Sequence, residues 1–172
     1  FLALLPCQAE PVISEFLASN VTGLEDEDGQ RNDWIEIHNP DTTPVNLDGW
    51  HLTDKSGTPA KWTFPAVTLP AKGFLLVWAS EKNRRNPAGP LHTNFKLDAG
   101  GEYLALTRPD NSAAHAFSPS YPQQAPDVAY GVPVTLTAGV SLTGLASTRK
   151  LLPSPLMVGV TASEPSETEK AK

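Results

Sequence analysis

Asp33-Trp34-Ile35-Glu36-Ile37-His38, followed by Asn39-Pro40, is the stretch on which the fold turns. Ile35 and Ile37 stand two residues apart, the spacing that puts side chains on one face of a strand, and Pro40 bars its continuation as a helix. Runs of similar length recur at Val12 to Ala18, Trp50 to Thr53 and Trp62 to Phe64, with turn residues between them. Each is of strand length and too short for a typical helix. Phe74-Leu75-Leu76-Val77-Trp78-Ala79 is apolar on both faces, which predicts a strand covered on both sides or central to a sheet. Tyr103-Leu104-Ala105-Leu106-Thr107 alternates after Gly100-Gly101, which predicts a half-buried strand with Leu104 and Leu106 inward. No window of twelve residues keeps a 3.6-residue period, and the many prolines between 40 and 126 interrupt the candidates. The chain therefore reads as all-β, an antiparallel β-sandwich with a flexible C-terminal tail.

Composition agrees with that class. In 172 residues there are 12 glycines and 17 prolines, the punctuation of many turns, and 40% hydrophobic residues, enough to bury a core. Thirteen Lys and Arg face 19 Asp and Glu, a net charge of -6, so the whole chain repels phosphate backbones and is a poor fit for nucleic acid. The single cysteine, Cys7, excludes an internal disulfide framework and any Cys-rich zinc site. No run reaches the roughly 18 apolar residues of a membrane span.

The aromatic residues mark out the domain. All four Trp, all three Tyr and five of the six Phe fall between residues 12 and 131. Residues 10–131 are thus expected to form the sandwich, 132–162 an extension or the start of a linker, and 163–172 a polar disordered tail of Glu, Lys, Ser, Thr and Pro. Residues 1–9, Phe-Leu-Ala-Leu-Leu-Pro-Cys-Gln-Ala, have the apolar run and small closing residues of a secretory segment and its cleavage site, and are expected to be its remnant. A first buried strand of a longer chain is the competing reading.

The order of the strings carries a resemblance. Val12-Ile13-Ser14-Glu15-Phe16 is followed by Asp33-Trp34-Ile35-Glu36-Ile37-His38-Asn39-Pro40 and Leu47-Asp48-Gly49-Trp50-His51-Leu52-Thr53-Asp54. Lys61-Trp62-Thr63-Phe64-Pro65, Asn94-Phe95-Lys96-Leu97 and Gly101-Glu102-Tyr103-Leu104-Ala105-Leu106 complete it. This succession resembles the lamin tail domain as it occurs in bacterial exported proteins, over roughly residues 10 to 131. The resemblance implies an immunoglobulin-like sandwich without enzymatic activity, appended to larger secreted or surface proteins. The heptad rod and prenylated Cys box of nuclear lamins have no counterpart in these 172 residues. Ala129-Tyr130-Gly131-Val132 stands where the bacterial pattern often has Ser-Tyr-Gly-Arg.

Two loops offer chemistry. Glu25-Asp26-Glu27-Asp28-Gly29-Gln30-Arg31-Asn32-Asp33 sets five carboxylates in nine residues around a turn-forming glycine. Asp26, Asp28 and Asp33 are the candidate ligands of a weak calcium site, although the EF-hand spacing is incomplete and a solvated acidic turn is the simpler account. Calcium is the only cofactor this pattern suggests. Lys82-Asn83-Arg84-Arg85 is the one basic group, and Lys82, Arg84 and Arg85 are the candidate contacts to an anionic polymer. The simpler account is again a solvated loop.

Other residues are accounted for by structure. The four Trp are assigned to core packing ahead of a stacking platform for sugars or bases. His38 and His51 lack a second ligand at zinc spacing. Glu15 and Glu36 are expected as ordinary outward positions of a sheet, not a glycosidase pair. Ser14, Ser56 and Ser80 lie in no nucleophile elbow. The expected function is a non-catalytic binding or attachment module of an exported or cell-surface protein, its partners other domains of the parent polypeptide or surface and matrix components. A structural spacer within a larger surface protein or hydrolase is the alternative.

Overall fold

The computed structural model describes residues 10–132. The secretory remnant expected at 1–9, the 132–162 extension beyond Val132, and the tail at 163–172 lie outside the described residues.

Eleven strands and no helix make up the described residues. One sheet is ordered β11-β1-β2-β7-β8, built from Tyr130–Gly131, Val12–Leu17, Asp33–His38, Phe74–Ala79 and Leu91–His92. The second is ordered β10-β9-β4-β5, from Ala113–Phe117, Leu104–Thr107, His51–Thr53 and Trp62–Thr63. A ribbon of β3 (Val45–Asn46) and β6 (Thr68–Leu69) completes the set. All pairings are antiparallel except that of β7 with β8. This one parallel pair departs from the fully antiparallel sandwich expected. It arises because residues 80–90 carry the chain back along the sheet before β8 runs in the direction of β7.

The core fills the space between the sheets. Ile13, Phe16, Ile35, Ile37 and Val77 point in from the first sheet and meet Leu52, Trp62, Leu104 and Leu106 of the second, all at 2% exposure or less. Phe16 packs at 4.5 Å from the Tyr121 ring, and Trp62 lies edge-on to Phe64 at 4.8 Å. The Tyr121 hydroxyl donates to the Asp98 carbonyl at 2.8 Å, so the ring is buried with its polar end satisfied. Gly101 makes this corner possible, since at φ +102 a Cβ there would lie 2.4 Å from the Tyr121 carbonyl oxygen.

Three strands differ from their sequence patterns. β9 is buried on both faces, because the loop before β5 covers its outer side and Thr107 Oγ1 donates to the Pro59 carbonyl at 2.8 Å. β7 is interior to its sheet as expected, yet only Val77, Trp78 and Ala79 are buried, and Phe74 to Leu76 are half-buried. Trp50 lies just outside β4, half-buried against the core.

Trp34 and Trp78 are buried elsewhere than in the central core. They are cross-strand partners on the outer face of the first sheet, in a row running Leu17, Trp34, Trp78, His92 across four adjacent strands. Leu24, Leu76 and Ala129 pack against Leu17 and the two rings. The covering segment is the β1–β2 connection that holds the acidic stretch. The Trp34 indole N–H is buried under it with no hydrogen-bond partner among the described residues.

Strand directions place the loops. Glu15 lies opposite Gly131 and Phe16 opposite Tyr130, so the chain enters at Val12 and leaves past Gly131 on neighbouring strands at one end of the sandwich. β1 ends at Leu17 and β2 begins at Asp33, opposite Ala79, so the 19–32 and 80–90 connections share the far end. Trp34→Ala should cost about 3–5 kcal/mol in denaturant unfolding, the range for a buried aromatic truncated to alanine. A loss under about 1 kcal/mol would mean that the loop does not seal the outer face.

Candidate functional site

The acidic connection is tied at both ends before its charges are considered. Asn20 donates its side-chain amide to the carbonyls of Leu24 at 2.7 Å and Asn32 at 2.8 Å, drawing together the two ends of the loop. Within it the Asp26 and Gln30 backbones are joined at 2.9 Å, and Gly29, at φ +71, supplies the left-handed residue of the turn. Asp26 turns inward. Its Oδ1 accepts the backbone N–H groups of Asp28 at 2.9 Å and Gln30 at 3.0 Å, and its Oδ2 the Asn32 amide at 2.7 Å.

The basic connection is also built. Left-handed backbone at Glu81 and Asn83 alternates along it, the Asn83 N–H reaches the Thr93 carbonyl at 3.0 Å, and the His92 N–H reaches that of Arg84 at 2.9 Å. The strap so made lies beside β8 and aims Lys82 and Arg84 at the acidic loop.

The two loops meet as an ionic cluster. Lys82 Nζ binds Asp26 Oδ2 and, at 2.6 Å, Asp28 Oδ2. Arg84 bridges Glu27 and Asp28, the second contact at 2.7 Å. His92, wholly buried, directs Nε2 at both Glu27 carboxylate oxygens at 3.0 Å while its Nδ1 lies 2.8 Å from the Ser80 hydroxyl. Asp26, Glu27 and His92 bring three ligand-type atoms within 4.8 Å of one another. Three carboxylates against Lys82 and Arg84 leave one negative charge in excess.

Electrostatics follow from these contacts. The Arg84 guanidinium, then the Lys82 ammonium, pull the Asp28 carboxyl down to about 2. Burial pushes Asp26 up, but Lys82 and the donors of Gln30, Asn32 and Asp28 outweigh it and leave it below the ordinary value. Glu27 likewise is raised by burial and lowered further by its own N–H, Arg84 and His92. Burial lowers His92, and Glu27 offsets only part of that. Lys82 loses hydration on burial, yet Asp26 and Asp28 hold it above its ordinary value.

The structure sorts the residues expected from sequence. Asp26 and Asp28 meet around Lys82, whereas Asp33 begins β2 and takes the backbone N–H groups of Asn20 and Leu97, with burial raising its pKa. Of the three basic residues, Lys82 and Arg84 are directed at the acidic loop, Lys82 largely covered and Arg84 still partly open to solvent, and Arg85 is exposed. Sequence reasoning thus treated as two sites what is one, and it missed Glu27, Ser80 and His92 as members. Glu27 and His92 stand 65 residues apart, with no local spacing to connect them. His38 stacks on Phe74 at 4.3 Å and His51 Nδ1 lies 2.9 Å from Thr63 Oγ1, each engaged within its sheet. Glu15 and Glu36 are cross-strand partners, and Glu36 accepts the Ser14 hydroxyl at 2.8 Å.

Removing Asp26 should be costly, because its side chain is fully buried and Lys82 is only 16% exposed. Asp26→Asn is expected to lower unfolding free energy by about 1–3 kcal/mol, with Asp28 retaining part of the Lys82 contact. The pH dependence has a definite sign. Carboxyls lowered in the folded state contribute stability above their unfolded values near pH 4, and that contribution is lost as pH falls through their folded values, about 2 for Asp28. Burial raises Asp33 and Glu102, whose protonation opposes part of this loss. The thermal midpoint should fall between about pH 4 and pH 2, less steeply in Lys82→Met. Equal slopes in the two proteins would remove the cluster from the acid response.

Comparison with known families adds the identity of the scaffold. The family model described as Lamin Tail Domain matches residues 8–120, well over half of the chain and every strand but β11. No curated protein matches the chain significantly. The family is one of immunoglobulin-like domains without enzymatic activity, in keeping with two packed β-sheets and the absence of helix among the described residues. By this match and this architecture, the chain belongs to the lamin tail domain family.

Proposed function

We propose that this domain is a non-catalytic binding or attachment module of an exported or cell-surface protein, and that it binds through the end of the sandwich remote from its chain connections. One observation carries the reading. Because β1 and β11 are adjacent and antiparallel, the described chain enters and leaves at one end, and among the described residues the opposite end is left open to a partner. An in-line spacer is better served by connections at opposite ends, so the arrangement supports an appended module.

The far end has the composition of a contact surface. Val21 and Val128, 57% and 43% exposed, are brought together there by Asp127, which accepts the N–H groups of Val21 at 2.7 Å and Thr22 at 2.9 Å. Exposed Arg85 extends from the strap at the same end. Exposed apolar side chains and an exposed guanidinium are features enriched at protein interfaces. Family membership supports the non-catalytic part of the reading. Export, and the choice among a domain of the parent polypeptide, a surface component and a matrix component as partner, rest on the amino-terminal pattern and on the resemblance to domains of exported proteins.

The full chain fused to a fluorescent reporter should be retained on washed cell envelopes of the parent organism. Arg85→Glu with Val128→Glu should lower the retained fraction at least tenfold, and Thr42→Arg at the opposite end should leave it unchanged. Retention equal to that of the reporter alone would overturn attachment. Equal loss in all variants would overturn the placement at the far end.

A further inference from the structure

We propose that Asp26, Glu27 and His92 form a binding site for a divalent transition-metal ion of the zinc class, which enters where the Lys82 ammonium now neutralises the carboxylates. Three features point to this cation. First, the ligand set is mixed: two carboxylates from the β1–β2 loop and an imidazole from β8, with their ligand atoms within 4.8 Å of one another. Calcium takes six to eight oxygen donors, whereas an imidazole nitrogen beside two carboxylates suits zinc and its neighbours. The nitrogen donor therefore changes the class of ion from the calcium that the acidic sequence alone suggests.

Second, the imidazole is placed as metal-bound histidines are. His92 is wholly buried, its Nε2 faces the carboxylates and its Nδ1 faces the Ser80 hydroxyl at 2.8 Å. That hydroxyl can donate to Nδ1 when Nε2 carries the proton, or accept from Nδ1–H when Nε2 ligates a metal. The exchange is a change of tautomer, with no net proton released. Asp26 Oδ1 is fixed by the backbone N–H groups of Asp28 and Gln30, and Oδ2, oriented by the Asn32 amide at 2.7 Å, faces the site where Lys82 meets it.

Third, the cluster already binds a cation and has negative charge left over. Asp26, Glu27 and Asp28 outnumber Lys82 and Arg84 by one, so exchange of one ammonium for a dication would bring the group of five to neutrality. Tetrahedral zinc with bonds near 2.0 Å needs ligand atoms about 3.3 Å apart, so the loop carboxylates would close by up to about 1.5 Å while His92 stays in place. Lys82 is then the site's internal competitor. This inference does not depend on the attachment reading, and either can fail alone.

The test uses the full chain carrying Cys7→Ser, which removes the one thiol. Titration with zinc chloride by calorimetry should give one equivalent, and cobalt(II) should give visible absorption and quench Trp78, whose ring is centred 6.4 Å from that of His92. Lys82→Met should bind zinc at least tenfold more tightly, an outcome that a merely structural ion pair does not produce. His92→Gln and the less disruptive Glu27→Gln should each weaken binding at least tenfold, with folding verified by circular dichroism. Absence of saturable zinc binding in both the Cys7→Ser protein and its Lys82→Met derivative would overturn the proposal. So would undiminished binding in Glu27→Gln, or calcium binding as tight as zinc.

Discussion

The contact between Asp26 and Lys82 is the constraint on which the far end of this domain depends. A sheet with only one face in the core must cover the other face or leave it polar, and here Trp34 and Trp78 make that other face apolar along one row. The β1–β2 connection covers the row, and an acidic loop would not stay against an apolar face by burial alone. Asp26 supplies an anchor: its carboxylate is fully buried, holds the loop's own backbone on one oxygen and takes the Lys82 ammonium on the other. Desolvating either charge alone would cost several kcal/mol, so each makes the burial of the other tolerable. The loop is thereby tied to the strap between β7 and β8, and the cover is closed from two sides.

The strands were legible in the sequence because their signal is local. Ile35 and Ile37, or Leu104 and Leu106, declare a face within five residues, and the prolines between runs exclude the competing period. Less legible was what lies on top of a strand. Ala105 and Thr107 look outward and solvated by alternation, but the turn before β5 covers them and gives Thr107 a carbonyl partner. Trp34 and Trp78 were rightly read as core residues, but that their core is a second one on the outer face could not be read, because periodicity tells which residues share a face and not which segment will cover it.

The candidate site shows the same limit more sharply. The acidic run and the basic run were each visible as charge patterns, and each invited an external partner of opposite sign. Their mutual pairing depends on contacts across 54 to 57 residues, set by the β2–β7 register and by the alternating left-handed residues of the strap. No spacing rule reaches so far. His92 gave even less signal, a lone histidine at the end of a two-residue strand, and its role follows from the parallel β7–β8 pairing that sets it opposite Trp78. Net charge offered one legitimate hint. A chain with excess acid cannot leave its few basic residues unpaired beside a carboxylate cluster without cost, so a neighbouring acidic and basic loop at one end of a sandwich are natural partners.

Internal neutralisation also changes where a partner would have to bind. Carboxylates engaged by Lys82 and Arg84 attract little from outside, because an incoming cation must replace contacts that are already short and partly desolvated. Only a ligand with more charge than an ammonium, or one able to use the buried imidazole, gains by the exchange. The surface beside the cluster is different, since Val21, Val128 and Arg85 have no internal obligation among the described residues that burial under a partner would break. Rigidity contributed by the cluster then matters to that surface. A loop end held by a buried ion pair and by Asp127 loses less conformational entropy on binding than a free one, so the same contacts yield more affinity. The polar cluster in this sense holds in place the loops that carry these exposed residues.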